Sequence, residues 1–179
     1  MKGFYRAIIA TMILMTQSAH ATVFPDVVPS LDLTRYLGTW YEIASTKPIF
    51  QRDCVCVTAT YNLRDDGKVQ VLNSCRKFDV NAPEEIAEGT AETSSNPAKF
   101  NVSFGGFRFP LTNYWVVDLA DDYSYAVVSS PFRRPVWILS RTPSLPQETL
   151  DGIYARLQQN GFFTNALSTT LQEGCPARG

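Results

Sequence analysis

Four cysteines and one histidine are the side chains from which this 179-residue chain could build a nucleophile, a redox pair or a metal site. Cys54 and Cys56 have a single residue between them. Redox pairs usually have two, and structural zinc sites usually two to four. With Cys75 and Cys175 the set is even, and in an exported protein an even set reads as two disulfides. His20 lies in a segment that the mature chain is expected to lose. The commonest general base and metal ligand goes with it. No Gly-x-Ser-x-Gly elbow occurs. The sequence therefore predicts no catalytic residue, no metal and no cofactor, and points to a binding protein rather than an enzyme.

The segment that carries His20 has the layout of a secretory signal. Lys2 and Arg6 precede an apolar run from Ala7 to Met15, and Ala19-His20-Ala21 supplies small residues for cleavage. The run is too short to span a bilayer, which takes about 20 residues. Residues 1–21 are read as the signal peptide and residues 22–179 as one domain. A bacterial lipid anchor needs a cysteine directly after the signal, where this chain has Thr22, so no lipid anchor is expected. The expected location is the periplasm, or the medium if the protein is secreted. Removing Lys2 and Arg6 from 16 basic residues leaves 14 against 17 acids, a net charge of −3. A nucleic-acid surface would show a basic excess instead.

The elements that must position any site are short strands. Turn signals at regular spacing separate candidates at 39–46, 55–63, 68–77, 84–93, 99–104, 113–119, 123–129 and 135–141. Arg64-Asp65-Asp66-Gly67, Ser94-Ser95-Asn96-Pro97 and Ala120-Asp121-Asp122 are tight turns. They alternate with longer, more apolar connections at 47–53, 78–83, 105–111 and 130–134. In an up-and-down barrel alternate loops share an end, so one end is closed by turns and the other is framed by long loops. One helix follows. Ser144 and Gln147 form a capping box with Pro146 in the first turn, and Leu150, Ile153, Tyr154 and Leu157 make one apolar stripe. Asn160-Gly161 ends it. The tail to Cys175 has room for one more short strand.

Three motifs in order carry a resemblance to a known family. Gly38-Thr39-Trp40-Tyr41-Glu42 resembles the first motif of the lipocalins, Asp122-Tyr123-Ser124-Tyr125 the second, and Trp137 to Pro143, with Arg141, the third. Within the family, Arg35 to Ile43 and Val57 to Tyr61 look like the bacterial lipocalins and apolipoprotein D. The resemblance runs from about Leu31 to Cys175. It implies an all-β fold: an eight-stranded up-and-down antiparallel barrel with one C-terminal helix packed outside. It also implies that Trp40 plugs the closed end with Arg141 across its indole, a structural pair, and that Gly38 allows close approach. By likeness to apolipoprotein D, Cys56 would hold the tail through Cys175, and Cys54 would pair with Cys75.

The same resemblance turns Ala59 inward, and alternation then adds Val57 and Tyr61. Val69, Val71 and Asn73 are the inward set on the next strand. Tyr114 or Trp115, Val117, Tyr125 and Val127 are candidates further on. At the open rim, apolar Pro48, Ile49, Phe50, Phe107, Phe109, Pro131 and Phe132 interleave with Arg52, Arg108, Arg133 and Arg134. The expected ligand is a fatty acid, a lysophospholipid or another small hydrophobic molecule, its acyl chain admitted by the apolar residues and its head paired with an arginine. The expected function is binding and transport in envelope lipid handling, by a monomer or weak dimer without nucleic-acid partners. Two other readings are an enzyme acting on a lipid-like substrate in the barrel, and a module whose Phe-rich rim docks to membranes.

Overall fold

Asp32 opens the ordered core by capping a single helical turn, α1 (Leu33–Tyr36): its carboxylate accepts from the backbone N–H of Thr34 and Arg35. The computed structural model describes residues 23–106 and 110–177. Gly38 takes φ +90°, which only glycine adopts freely, and turns the chain into β1 (Gly38–Ser45). β2 (Cys54–Leu63), β3 (Val69–Lys77), β4 (Glu84–Thr93), β5 (Lys99–Phe104), β6 (Tyr114–Leu119), β7 (Tyr125–Ser129) and β8 (Val136–Ser140) follow. All pairs are antiparallel, each strand beside the next, and β1 pairs with both β8 and β2. The sheet closes on itself as an eight-stranded barrel, as the resemblance implied.

Two apolar layers result. Inside lie Trp40, Tyr61, Val71, Phe100, Val116 and Leu139, with Tyr36 of α1 beneath them. Outside, Ile43, Val127 and Ile138 pack against Ile153 and Leu157 of α2 (Gln147–Gln159). The stripe on α2 faces the barrel as its spacing predicted. The capping box does not form: Pro146 occupies the cap position without a side-chain bond, and Gln147 reaches forward to Asp151 instead. Asn160 ends α2 and Gly161 follows at φ +77°.

The barrel wall contains one substitution of partners. β1 and β2 pair only over their lower halves, from Gly38↔Tyr61 to Tyr41↔Thr58. Above that they part, and the C-terminal segment fills the gap as a stave. Its short strand β9 (Ser168–Thr169) pairs with β1, and Leu171 accepts from the Cys56 N–H at 2.9 Å. The side-chain amide of Gln172 donates to Glu42 O on one side and Val57 O on the other, at 2.9 and 2.8 Å. Cys56–Cys175 locks this stave and Cys54–Cys75 ties β2 to β3, the pairing implied by the resemblance.

Candidate functional site

The closed end is built around Trp40, which is wholly buried. Its indole N–H donates to Tyr36 O at 2.9 Å, and the Arg141 guanidinium lies 3.7 Å from its ring centroid. Arg141 also donates to the carbonyls of Thr39 and Arg35. The motif pair is therefore structural. The second motif anchors the same end: Tyr123 accepts the Asp32 N–H through its hydroxyl, and the Asp122 carboxylate caps the turn. Hydrogen bonds from Ser124 hold the Asp122 carboxyl below its usual range.

Above Trp40 and α1, three tyrosines form the floor of the lumen. Tyr36 stacks on Tyr61 at 5.7 Å, and Tyr61 and Phe100 each meet Tyr114 edge-on. The hydroxyl of Tyr114 bonds those of Tyr36 and Tyr61, at 2.7 and 2.9 Å. Burial raises all three, carrying Tyr61 to about 12 and the other two well above their ordinary value. Beside them is a void, also lined by Val69, Val71, Ala91 and Val102, that offers about 20 Å³ to the centre of a water molecule. That is room for about one water. The lower lumen is thus largely filled by aromatic rings, not left roomy as the small residues of β2 and β3 suggested.

Above this floor the inner face is built from small side chains. Ala59 lies opposite Asn73 and Asn73 opposite Ala87, one step above the level at which Tyr61, Val71 and Gly89 face each other. Gly89 is required there: a Cβ would fall 2.7 Å from Ser103 O and 2.8 Å from the Phe104 ring. Phe104, 40% exposed, leans into the mouth at this level. From the other side Gln51 folds inward out of the β1–β2 connection. Its amide nitrogen bonds the buried Glu42 carboxylate and its amide oxygen accepts from the Trp137 indole. Glu42 also takes Lys47 and Thr170 as donors.

The sequence-predicted binding residues divide accordingly. Ala59, Tyr61, Val71 and Asn73 share the inner face, and Val57 packs with the Cys54–Cys75 bridge at its upper end. Tyr125 does not reach the lumen: it lies on the outer face, hydrogen-bonded by Arg156 of α2, and Val117 and Val127 sit on that face too. Alternation could not place them, because β6 and β7 are apolar on both faces, one toward the lumen and one toward α2. The inward residues are Tyr114, Val116, Ala126 and Val128.

Arg133 is not at the mouth either. It donates to Val23 O and to Asn160 O at the end of α2, which commits it to the exterior. Arg134 stacks near Phe163 of the tail. Arg52 is exposed on the rim, and Phe107, Arg108 and Phe109 lie outside the described residues, as does the signal segment. Phe50 is 74% exposed, and Phe132, 76% exposed, touches Phe24 edge-on. Sequence reasoning assigned no binding residue to β4 or β5. The alternation Ala87, Gly89, Ala91 was the available signal, since three small residues on one face leave space that something else fills.

Comparison with known proteins follows the same boundaries. The profile of the lipocalin-like domain family matches residues 31–172. Outer membrane lipoprotein Blc of Citrobacter freundii is 40% identical over 150 residues, covering 83% of each chain. Apolipoprotein D of Bos taurus is 36% identical over 160 residues, covering 85% of this chain and 82% of its own. The structure of insecticyanin from the tobacco hornworm Manduca sexta superposes with a TM-score of 0.62 at 24% identity, covering 82% of this chain and 85% of that one.

Proposed function

The chain belongs to the lipocalin family, and from that premise we propose that it binds and carries a small hydrophobic ligand, a fatty acid or lysophospholipid, in the barrel lumen. The observation that carries the reading is the inner face above the tyrosine floor. There a row of small residues (Gly89, then Ala59, Asn73 and Ala87) runs from a sealed aromatic base toward an end framed by long loops. An acyl chain has enough to gain. Burying about 12 methylenes at roughly 0.8 kcal/mol each gives about 10 kcal/mol gross, against an association cost of at least about 4 kcal/mol.

Because the void now admits about one water, a chain enters only as Phe104, Gln51 and the upper rings turn aside. Phe104 is partly in solvent, and the Gln51 side chain is held by bonds to the Glu42 and Trp137 side chains, so both side chains can move without breaking the wall. Among the described residues, Arg52 is exposed on the rim, where it can meet a head group. Nothing in this reading calls for catalysis, and the four cysteines, being paired, supply no thiolate. The two disulfides and the relation to Blc and to apolipoprotein D support an exported protein, and we place its work in envelope lipid handling.

Filling the lumen tests the reading. Val71→Trp places an indole where the chain must pass and is expected to weaken binding of a dansyl-labelled undecanoic acid at least about 100-fold, the equivalent of excluding about four methylenes. Fluorescence titration of both proteins measures it. Equal affinity in the two would place the ligand outside the lumen and remove the proposal.

A second reading adds to the first. All four open-end connections carry strongly exposed apolar side chains among the described residues: Ile49 and Phe50, Phe78, Leu111, and Phe132. Such clustering marks a contact surface. We read it as one that rests on a lipid surface while the ligand transfers. Phe50→Ser with Phe78→Ser is expected to reduce flotation with anionic vesicles several-fold while ligand affinity stays unchanged. Undiminished flotation would assign these residues no docking role.

A further inference from the structure

A second cavity lies on the outside of the barrel wall, beneath the C-terminal stave. Trp40 and Ala59 point into the lumen, so by alternation Tyr41 and Thr58 point outward, and these two border the cavity. Thr58 is buried even though it faces out, because the tail passes over it. Gln172 and the run Cys175-Pro176-Ala177 close the space from that side, and Arg76 of β3 enters it from the wall. The cavity offers about 100 Å³ to the centre of a water molecule, against about 20 Å³ at the floor of the lumen. One water needs about 10–15 Å³ by that measure, so a molecule of several heavy atoms fits. Arg76 is its cation. The Nη1 group donates to Ala82 O, and no carboxylate forms an ion pair with this guanidinium among the described residues. Glu84, directly across from it in the β3–β4 register, also borders the cavity and is engaged in an interaction of its own.

We propose that this cavity is a second ligand site, separate from the lumen, and that it takes a small monocarboxylate with a short hydrocarbon tail. With one N–H on Ala82 O, the rest of the Arg76 fork is left for a carboxylate, whose two oxygens match its geometry. The tail side of the lining, the Cys56–Cys175 bridge with Pro176 and Ala177, suits a short alkyl group. Glu84 sets the charge limit. One negative charge balances Arg76, whereas a doubly charged phosphate meets Glu84 with a larger like charge. The site is composite, with its cation on β3 and its cover on the tail. An occupant touches both, so it favours the docked stave over a frayed one by mass action. None of this depends on what the lumen holds.

The test follows the backbone amides of the whole nitrogen-15-labelled protein by two-dimensional NMR as sodium butyrate is added. Butyrate is expected to shift Thr58, Arg76, Gln172 and Cys175 together, half-saturating at about 1–10 mM. Arg76→Gln, whose own spectrum reports whether it is folded, is expected to raise that concentration at least about tenfold. Glu84→Gln removes a like charge and is expected to lower it about twofold. Inorganic phosphate is expected to bind at least about tenfold more weakly than butyrate. Shifts at Ala59, Val71 and Gly89 instead put butyrate in the lumen and overturn the proposal, as does a response that Arg76→Gln leaves unchanged or no response at all. Weaker binding in Glu84→Gln, or phosphate bound as well as butyrate, overturns the monocarboxylate class. If Arg76→Gln does not fold, Arg76→Lys keeps the charge and loses the fork. It is expected to weaken butyrate several-fold, and an unchanged affinity overturns the role of Arg76.

Discussion

Taken from about pH 9 to about pH 12, the protein is expected to unfold cooperatively, with its buried phenols ionising only as the barrel opens. The sign follows from the triad. Tyr61 is pushed up to about 12, and Tyr36 and Tyr114 well above their ordinary value, chiefly by burial, which disfavours phenolate. In the unfolded chain the same side chains ionise near pH 10. Below that pH both states are protonated and the folded state keeps its full stability. Above it the unfolded state sheds protons that the folded state retains, so stability falls as pH rises toward the folded values. Each group costs about 1.4 kcal/mol per pH unit, and three acting together cost about 4 kcal/mol per unit. Against a total stability of about 5–15 kcal/mol, one to three units suffice. Tyr125 and Tyr154 are also raised, but both are partly exposed and add little. Phenolate absorbance and near-ultraviolet circular dichroism followed together measure it. Phenolate absorbance equal to that of every tyrosine in the domain, the triad included, developing with the dichroism intact would mean that water reaches the triad and that the floor is open.

Removing the Cys56–Cys175 bridge is expected to be the most damaging change in the wall. The paired variant Cys56→Ser, Cys175→Ser releases a loop spanning 119 positions. Chain entropy sets an upper estimate of about 5 kcal/mol for a loop of that size, against about 3 kcal/mol for the 21-position loop of Cys54–Cys75. The structural consequence should exceed that difference. Cys54–Cys75 joins two strands that are already hydrogen-bonded along most of their length. Cys56–Cys175 holds a stave whose other ties are β9, Thr170, Leu171 and Gln172. Without it the stave frays and the upper seam between β1 and β2 opens beside Glu42, whose carboxylate then loses Thr170. Urea unfolding of the two paired-serine variants gives the ordering. A smaller loss for Cys56–Cys175 than for Cys54–Cys75 would show that hydrogen bonds alone hold the tail.

These two expectations draw on different levels of the molecule. Closure into a barrel was implied by the family resemblance, whereas the eight short strands and one late helix are legible in the pattern of the chain: strands at regular spacing, turns alternating with long connections, and one stripe at helical period. Those are local signals, set by backbone preference and by alternation, and a chain records them residue by residue. The motif residues Gly38, Trp40, Asp122, Tyr123 and Arg141 were legible only through the resemblance to the lipocalin motifs, and each is tied to a turn or to a contact that the strand order brings about.

What the chain does not record is which face is which where both are apolar. β6 and β7 bury one face in the lumen and the other under α2, so Tyr125 and Tyr114 look alike in sequence and end on opposite sides of the wall. Nor does it record how far a side chain reaches. Arg133 stands beside Phe132 in the sequence, but its guanidinium finds two carbonyls on the exterior. The tyrosine floor joins residues from α1, β2 and β6, separated by 78 and 53 positions, through hydroxyls at the tips of long side chains. Local pattern determined the strands and the helix; only closure of the barrel, by bringing distant side-chain tips within bonding range and excluding water from them, decided what its interior can hold.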